Sequence, residues 1–290
     1  MAVLPAVATS YEIILVNDCS RDRSWEIISE LAATFPCIRG INLMRNYGQH
    51  NALLCGIRAA HGDLVVTMDD DLQHQPEEIP RLLARLDDGF DVVYAVPERE
   101  QHGFWRAIAS RITRLALRSA GGPEVARNVS AFRAFRTQLR EAFAGYQTPF
   151  VSIDVLLTWA TSRFTAVRIP FKPRPCGSSN YTFGRLVRHA FDMMTGFSTA
   201  PLQLASLIGF GCTLFGVAVL IYVVGRYLLE GSIAGFPFLA SIIAIFSGAQ
   251  LFALGVIGEY LARMHFRTMN RPPYAIRDVV EGKHLKTQTQ

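Results

Sequence analysis

The sequence predicts an α/β protein with a mainly parallel sheet, followed by a helix at the membrane interface and an apolar helical hairpin. Over residues 12–96, short apolar runs alternate with amphipathic segments, a spacing typical of parallel strands joined by helical crossovers. Two later stretches, 193–225 and 231–258, contain no charged residue. Each is long enough to cross a bilayer as a helix, which takes about 20 residues.

The individual elements follow from local pattern. In the segment 24–34, Trp25, Ile28 and Leu31 share one helical face. The segment 76–86 opens with a proline and two glutamates, which favour a helix N-terminus. The predicted strands are 12–16, 38–43, 64–68 and 91–96, and the predicted helices between them are 24–34, 49–60 and 76–86.

The hairpin is expected to consist of two membrane spans at about 204–224 and 238–258. A pair of buried core helices is the alternative, but two uncharged runs of this length exceed what a globular core needs. The flanks determine the orientation, because a basic excess marks the cytoplasmic side. Arginines flank the hairpin on both outer sides, at positions 185, 188, 263, 267, 271 and 277.

An amphipathic helix is predicted immediately before the hairpin, over residues 183–194. Phe183, Leu186, Val187 and Ala190 lie on one stripe, with charged residues opposite. Such a helix either packs on the soluble domain or lies in the plane of the membrane surface, and its position beside a span favours the second arrangement.

Composition excludes several classes of protein. The chain has 290 residues, of which 50% are hydrophobic and 18% charged, and its mean hydropathy is +0.21. The net charge of +5 comes without a dense basic run, so we expect no nucleic-acid partner and a lipid bilayer instead. The five cysteines are scattered, which argues against a zinc site or a disulfide framework. The N-terminus has no signal-peptide pattern.

Acidic residues follow two of the predicted strands at the edge where such sheets bind polar ligands. Asp18 comes after the first strand, and Asp69, Asp70 and Asp71 come after the third. Asp69 and Asp71 should face the same way and Asp70 the other. A solvated acidic loop is the alternative, but a cation would relieve the repulsion between carboxylates, and Mg²⁺ commonly takes one or two of them plus substrate phosphates. The pattern therefore predicts a metal–phosphate site.

Four motifs carry a resemblance to a known family. They are VNDCSRD at 16–22, RNYG at 45–48, MDDDLQHQPE at 68–77 and RPCGSSNY at 174–181. Together with the two-span C-terminus, they resemble the polyprenyl-phosphate glycosyltransferases of glycosyltransferase family 2. The resemblance extends over roughly residues 11–280 in the right order, and the hairpin is most similar to that of the bacterial members.

The resemblance implies a GT-A fold and an inverting transfer of a sugar from a nucleotide-diphosphate donor, expected to be UDP-linked, to polyprenyl (undecaprenyl) phosphate. It implies Mg²⁺ or Mn²⁺ as the cofactor and a multi-pass protein of the bacterial inner membrane with its catalytic domain in the cytosol. The glycine-rich spans suggest a homo-oligomer. The expected organisation is a GT-A domain over 1–170, a phosphate loop and juxtamembrane helix over 171–200, two spans within 201–262 and a cytosolic tail over 263–290.

The resemblance also implies roles for individual residues. Asp69 and Asp71 would hold the metal on the donor diphosphate, and Gln73 would lie near the sugar. Arg111, Arg114 and Arg133 are candidates to hold the acceptor phosphate, although each could be an ordinary solvated arginine. Asp154 could assist near the acceptor, with a helix-surface carboxylate as the alternative, and the expected catalytic set is therefore Asp71, Gln73, Arg133 and Asp154. The expected nucleotide-sugar contacts are Asp18, Arg45, Asp69, Asp70, Arg174, Ser179, Asn180 and Tyr181.

Two departures from the family pattern are visible. The family often has lysine where this chain has Asn180, so a cationic contact is either missing or supplied by Arg174 alone. The usual first strand of the sheet is also missing, since residues 1–9 lead directly into the strand at 12–16. An alternative function is therefore a catalytically inactive, membrane-bound binding or scaffold protein. A processive polysaccharide synthase would need more spans and a Q-x-x-R-W segment, which the sequence lacks.

Overall fold

The computed structural model describes residues 3–98, 129–172, 199–230 and 236–282. The predicted order of strands and helices is present, with boundaries shifted by a residue or two. The strands are β1 Ile13–Asn17, β2 Ile38–Leu43, β3 Leu64–Thr67, β4 Val92–Pro97, β5 Arg133–Arg136, β6 Phe164–Ile169 and β7 Ile276–Glu281. The helices are α1 Leu4–Val7, α2 Ser24–Thr34, α3 Gln49–Ala59, α4 Ile79–Asp87, α5 Ile153–Ala160, α6 Ala200–Glu230 and α7 Phe236–Thr268, with 3-10 turns at Pro76–Glu78 and Thr137–Phe143.

The strands form two mixed sheets, which corrects the prediction of a mainly parallel one. The first sheet has the order β1-β2-β7 and the second the order β3-β5-β4-β6. Within the described ranges, β1–β2 and β4–β6 are parallel, whereas β2–β7, β3–β5 and β4–β5 are antiparallel. The first four strands are joined by short helical crossovers, which favour parallel pairing. Strands β5 and β7 follow long intervening segments, which allow the chain to return in either direction.

Strand β1 is at one edge of the first sheet, and strand β3 is at one edge of the second. Within the described residues each of these strands has a single hydrogen-bonded neighbour, β2 and β5 respectively. Among residues 3–12 the structure has no strand before Ile13. The short helix α1 lies there instead, and Leu4 and Val7 pack against the core beneath α4.

The second sheet is covered on both faces, as the sequence predicts. Successive residues of β4 alternate between two hydrophobic clusters, with Val92 and Tyr94 on one side and Val93 and Ala95 on the other. Helices α3 and α5 cover the first side, and α4 covers the second. Full burial of each large apolar side chain contributes about 1.5–3 kcal/mol to folding. This core holds the ends of β3 and β5 in place beneath the acidic loop.

Helices α6 and α7 are apolar over lengths sufficient to cross a membrane, and the predicted spans lie within them. By length and composition the spans are Pro201–Leu229, with mean hydropathy 2.4, and Ile245–Thr268, with mean hydropathy 1.4. The helices contact each other, and a Cβ atom added at Gly216 would lie 2.6 Å from Cζ of Phe246. Their outer faces expose large apolar side chains such as Leu207 and Leu251. These surfaces fit a lipid environment.

The chain returns from α7 to the N-terminal α/β domain, a pairing that the sequence does not indicate. Strand β7 pairs with β2 from Leu43↔Ile276 to Arg39↔Glu281. Polar side chains support the pairing, because Asn42 accepts a hydrogen bond from Asn17 at 2.9 Å and donates one to Asp278 at 3.2 Å. Strand β7, which follows the apolar hairpin in the chain, therefore attaches the hairpin to the first sheet.

Gly282 directly follows this return strand, at a point where only a hydrogen atom fits. Its N–H donates to Ile38 O at 3.1 Å, and an added Cβ would lie 2.5 Å from Cα of Pro36 and 2.7 Å from the carbonyl oxygen of Phe35. Because backbone atoms must move, we expect Gly282→Ala to lower the free energy of unfolding by about 1–3 kcal/mol. Denaturant unfolding of the solubilised protein would measure this loss.

The matched control is Gly62→Ala, whose added Cβ would meet only Leu64 O at an ordinary 3.6 Å. Equal stability of the two variants would contradict the close approach at Gly282.

Candidate active site

The structure connects the two predicted acidic positions at the carboxyl edge of the strands. Both carboxylate oxygens of Asp18, just after β1, accept backbone N–H groups, from Tyr47 at 2.7 Å and Gly48 at 2.8 Å. The next residue, Gln49, donates its side-chain amide to Oδ1 of Asp69 at 2.6 Å. Asp18 and the aspartate loop after β3 therefore belong to one continuous set of contacts, as the strand topology predicts.

The Asp18 carboxylate holds the turn that leads into α3. Gly48 lies in the left-handed region at φ 93°, a conformation that favours glycine, and it is the N-cap of α3. Arg45, in the same turn, lies with its guanidinium 4.6 Å from the Tyr47 ring centroid and is exposed. The nucleotide-binding roles predicted for Asp18 and Arg45 remain predictions, and the structure adds that Asp18 orders this turn.

We expect Asp18→Asn to loosen the turn. Asparagine has one acceptor oxygen where aspartate has two, so one of the Tyr47 and Gly48 N–H groups loses a charge-assisted hydrogen bond, which contributes about 1.5–3 kcal/mol. Hydrogen exchange at these two amides should accelerate by about tenfold or more, measured by mass spectrometry.

Asp22→Asn is the control for this exchange experiment, since Asp22 also accepts a backbone N–H, from Ser24 at 3.0 Å, but in an exposed turn. Unchanged exchange at Tyr47 and Gly48 in Asp18→Asn would contradict the proposed function of the carboxylate in the turn.

The aspartate loop presents Asp69 and Asp71 in a partly buried setting and leaves Asp70 exposed. Oδ1 of Asp71 accepts the Gln73 N–H at 3.1 Å, and Leu72 between them has a positive φ of 60°. Burial raises the pKa of the Asp69 carboxyl, His74 opposes this rise, and the Asp71 carboxylate adds to it. These two carboxylates are close enough to repel each other, as predicted from the sequence.

His74 is a site residue to which the sequence analysis assigned no role. Its Nδ1 accepts the backbone N–H of Asp69 at 3.2 Å, so the neutral ring carries its proton on Nε2. The ring packs against Phe132 and Phe171, with centroids 5.3 and 5.0 Å away. Burial lowers the pKa of His74, while Asp69 and Asp71 act in the opposite direction. The signal in the sequence was a histidine five residues after Asp69, within reach of the same loop.

Arg133 and Asp154, both predicted to be catalytic, form a buried ion pair beneath the loop. Their side chains are 2% and 4% exposed, and Nη1 of Arg133 donates to Oδ1 of Asp154. The same carboxylate oxygen accepts the Tyr94 hydroxyl at 3.0 Å, and Nε of Arg133 donates to Oγ1 of Thr67 at 3.1 Å. Thr67 ends β3, two residues before Asp69. The pair therefore supports the strand that carries the acidic loop.

Several predicted site residues lie outside the described residues. They are Arg111, Arg114, Arg174, Ser179, Asn180 and Tyr181, together with the amphipathic helix predicted at 183–194. Gln73 is described, and its backbone carbonyl accepts the Lys172 N–H at 3.1 Å, which places the chain leading toward position 174 beside the aspartate loop.

The donor set at the loop suits a hard divalent cation shared with a substrate. In the described part of the chain, no group of three or more His, Cys, Asp or Glu side chains is arranged to hold a metal on its own. Asp69 and Asp71 provide two carboxylates, and Mg²⁺ characteristically takes one or two protein carboxylates and completes its shell with substrate phosphates and water. The residues present fit such a cation.

Sequence comparison identifies close relatives along nearly the whole chain. Residues 6–143 match the sequence profile of Glycosyl transferase family 2. The chain is 35% identical over 285 residues to the undecaprenyl-phosphate 4-deoxy-4-formamido-L-arabinose transferase of Pseudomonas paraeruginosa, covering 97% of this chain and 84% of that protein. Proteins of the same name in Shewanella sediminis and Pseudomonas aeruginosa are 34% and 36% identical, with 99% and 94% of this chain and 88% and 82% of theirs covered.

Among solved structures, the chain is similar at a TM-score of 0.46 and 18% identity to glucosyl-3-phosphoglycerate synthase from Mycobacterium tuberculosis in complex with phosphoglyceric acid. The match covers 63% of this chain and 68% of that chain.

Proposed function

Because this chain belongs to the polyprenyl-phosphate glycosyltransferases of glycosyl transferase family 2, we propose that it transfers a sugar from a nucleotide-diphosphate donor to undecaprenyl phosphate with inversion of the anomeric centre. Membership confirms the resemblance seen in the sequence, the glycosyltransferase activity and the GT-A class of the α/β domain. Glycosyl transfer to undecaprenyl phosphate is what the relatives indicate; the donor, the metal and the membrane face are parts of the proposal.

One observation carries the proposal: the contacts that join Asp18 to Asp69 through the 47–49 turn. This chain of hydrogen bonds brings the ends of β1 and β3 together into one polar edge. Such an edge is where α/β sheets bind nucleotides. A donor diphosphate could therefore lie across it, with the nucleoside toward Asp18 and the sugar toward Gln73.

We propose that Asp69 and Asp71 hold Mg²⁺ or Mn²⁺ against the donor diphosphate. When bound, the cation would neutralise charge that develops on the leaving diphosphate. Gln49 and His74 fix Asp69 through its side chain and its backbone, and the Gln73 N–H orients Asp71. The protein thereby holds both carboxylates in place before the substrate binds, which is the condition for electrostatic catalysis.

The acceptor phosphate requires little activation. A phosphate monoester has a second pKa near ~6, so it is largely a dianion at neutral pH and can attack without a strong general base. What the reaction needs is in-line positioning of the nucleophile behind the anomeric carbon. In the structure Asp154 is paired with Arg133, and we therefore assign this pair a positioning role through β3 rather than contact with the substrate.

The names of the relatives suggest the donor to test first. They are transferases of 4-deoxy-4-formamido-L-arabinose, and we propose the UDP-linked form of this sugar as the first candidate. We also propose that α6 and α7 are two spans of a bacterial inner-membrane protein, with the catalytic domain on the cytosolic side. The basic residues that flank the hairpin support this orientation.

The experiment is turnover by the purified full-length protein in detergent, with undecaprenyl phosphate and a panel of nucleotide sugars. We expect a glycolipid product whose anomeric configuration is opposite to that of the donor, determined by NMR. Chelation with EDTA should abolish product formation, and Mg²⁺ or Mn²⁺ should restore it.

Two outcomes would count against the proposal. A product that retains the donor configuration would contradict the inverting mechanism. Tight binding of donor and acceptor without turnover, with every donor of the panel, would favour the inactive binding or scaffold protein.

A further inference from the structure

A cavity lies where the α/β domain meets the end of α7, and no residue of the aspartate loop lines it. Its volume is about 250 Å³, and it is open to solvent. Residues from the 142–148 segment line one side, and Trp159, Arg267 and Asn270 line the other. Arg267 is the one charged residue among these lining residues, and none of them is acidic. The cavity is therefore electropositive.

Aromatic and polar side chains line the cavity together with Arg267. The Tyr146 and Trp159 rings meet edge to face with centroids 5.5 Å apart, and the indole is 48% exposed. The Tyr146 hydroxyl donates to Phe150 O, which also accepts the Thr148 hydroxyl at 3.3 Å. Burial raises the pKa of Tyr146, while Arg267 and Arg263 oppose that rise, which places positive charge close to the phenol.

The side chains around the cavity are of the kinds that concentrate at a membrane surface. Apolar side chains remain exposed along the C-terminal part of α7 and directly after it, where Leu261, Met264 and Met269 are 57%, 61% and 52% exposed. Tryptophan and tyrosine concentrate at membrane–water interfaces, where their rings sit at the level of the lipid headgroups. Arg267 lies within one turn of Met264 and is exposed. Among the described residues, no carboxylate forms an ion pair with it.

The geometry points to a binding site for the phosphate of an anionic phospholipid headgroup, held by Arg267 and bordered by Tyr146 and Trp159. A guanidinium matches the planar, forked geometry of phosphate oxygens. A basic side chain at an anionic lipid surface is a known source of attraction. The site lies outside the residues assigned to the donor and acceptor, so it does not depend on the proposed reaction.

The test uses the full-length protein in nanodiscs without nucleotide sugar, so no turnover takes place. Phosphatidylcholine discs are doped with brominated phosphatidylglycerol or, at equal mole fraction, brominated phosphatidylcholine. The chain contains three tryptophans, so the same measurement is made on the Trp159→Phe variant. The difference in fluorescence quenching between the two proteins is the quenching of Trp159. We expect brominated phosphatidylglycerol to quench Trp159 more strongly, and Arg267→Gln to reduce its apparent affinity about fivefold.

Arg271→Gln is the matched control, because Arg271 is exposed four residues further on and does not line the cavity. Equal quenching by the two lipids would overturn the proposal. Equal losses of apparent affinity for brominated phosphatidylglycerol in the Arg267 and Arg271 variants would also overturn it, because they would indicate only a general attraction to a charged surface.

A competition experiment distinguishes phospholipid from undecaprenyl phosphate as the lipid whose phosphate binds in the cavity. Unlabelled undecaprenyl phosphate and unlabelled phosphatidylglycerol are added at the same mole fraction. If undecaprenyl phosphate displaces the brominated lipid more effectively, the cavity belongs to the acceptor and the proposal is wrong. Equal or weaker displacement supports a phospholipid site. Because the measurement needs no product, failure of the proposed transfer reaction would leave this result unaffected.

Discussion

Asp71→Asn is expected to reduce glycolipid formation by at least about a hundredfold. The substitution preserves the size of the side chain and its ability to accept the Gln73 N–H, but it removes one of the two negative charges that would hold the cation. Loss of a single preorganised electrostatic contact to a developing charge typically costs two to three orders of magnitude in rate. Initial rates with a fixed donor and undecaprenyl phosphate, over a range of Mg²⁺ concentrations, would measure the effect.

Asp87→Asn serves as the control for the charge change, since Asp87 is an exposed carboxylate at the end of α4. We expect this variant to keep the activity of the native chain. An Asp71→Asn protein that forms product at the native rate, at every metal concentration, would remove the basis of the proposed metal site.

The second large effect concerns stability. Asp154→Leu would leave the Arg133 guanidinium buried without its carboxylate, and the Tyr94 hydroxyl would lose its acceptor as well. Removing one partner of a buried ion pair lowers the free energy of unfolding by about 3–5 kcal/mol, because the remaining charge is left buried without compensation. We expect Asp154→Leu to lower the free energy of unfolding by that amount, measured by denaturant titration of the solubilised protein.

Two comparisons isolate the buried pair. The double variant Arg133→Met, Asp154→Leu removes both charges and should recover much of the loss, since an apolar pair of similar volume can replace a buried ion pair. Asp88→Ala breaks an exposed pair with Arg85, whose contact is 2.6 Å long, and should cost no more than about 1 kcal/mol. If Asp154→Leu costs as little as Asp88→Ala, the pair does not support the core.

The sequence allowed the edge of the site to be predicted because its signals are local. Asp18, Asp69 and Asp71 each follow an apolar strand directly, and strand–helix alternation places such positions at one edge. The apolar helices were also predictable, since two long stretches lack charge entirely. Resemblance to a family then connected these signals to a reaction, and the relatives confirmed the family and its glycosyltransferase activity.

The long-range pairings could not be predicted from the sequence. Arg133 and Asp154 are each typical of a solvated surface in the sequence, and nothing local indicates that they are buried against each other. Strand β7 resembles an ordinary short strand, and its partner β2 lies more than 230 residues earlier. His74 was assigned no role because its contacts depend on the fold of the loop, which turns its ring back to the Asp69 backbone.

The return of β7 to β2 has a mechanical consequence. An enzyme joined to its anchor by one flexible linker could swing freely above the lipid, and its catalytic cleft would meet a membrane-embedded substrate only part of the time. Here the anchor ends in a strand with five partner residues in the sheet that carries Asp18. Hydrogen bonds between β7 and β2 therefore keep the sheet that leads to Asp18 beside the end of α7, which restricts how far the polar edge can move from the hairpin.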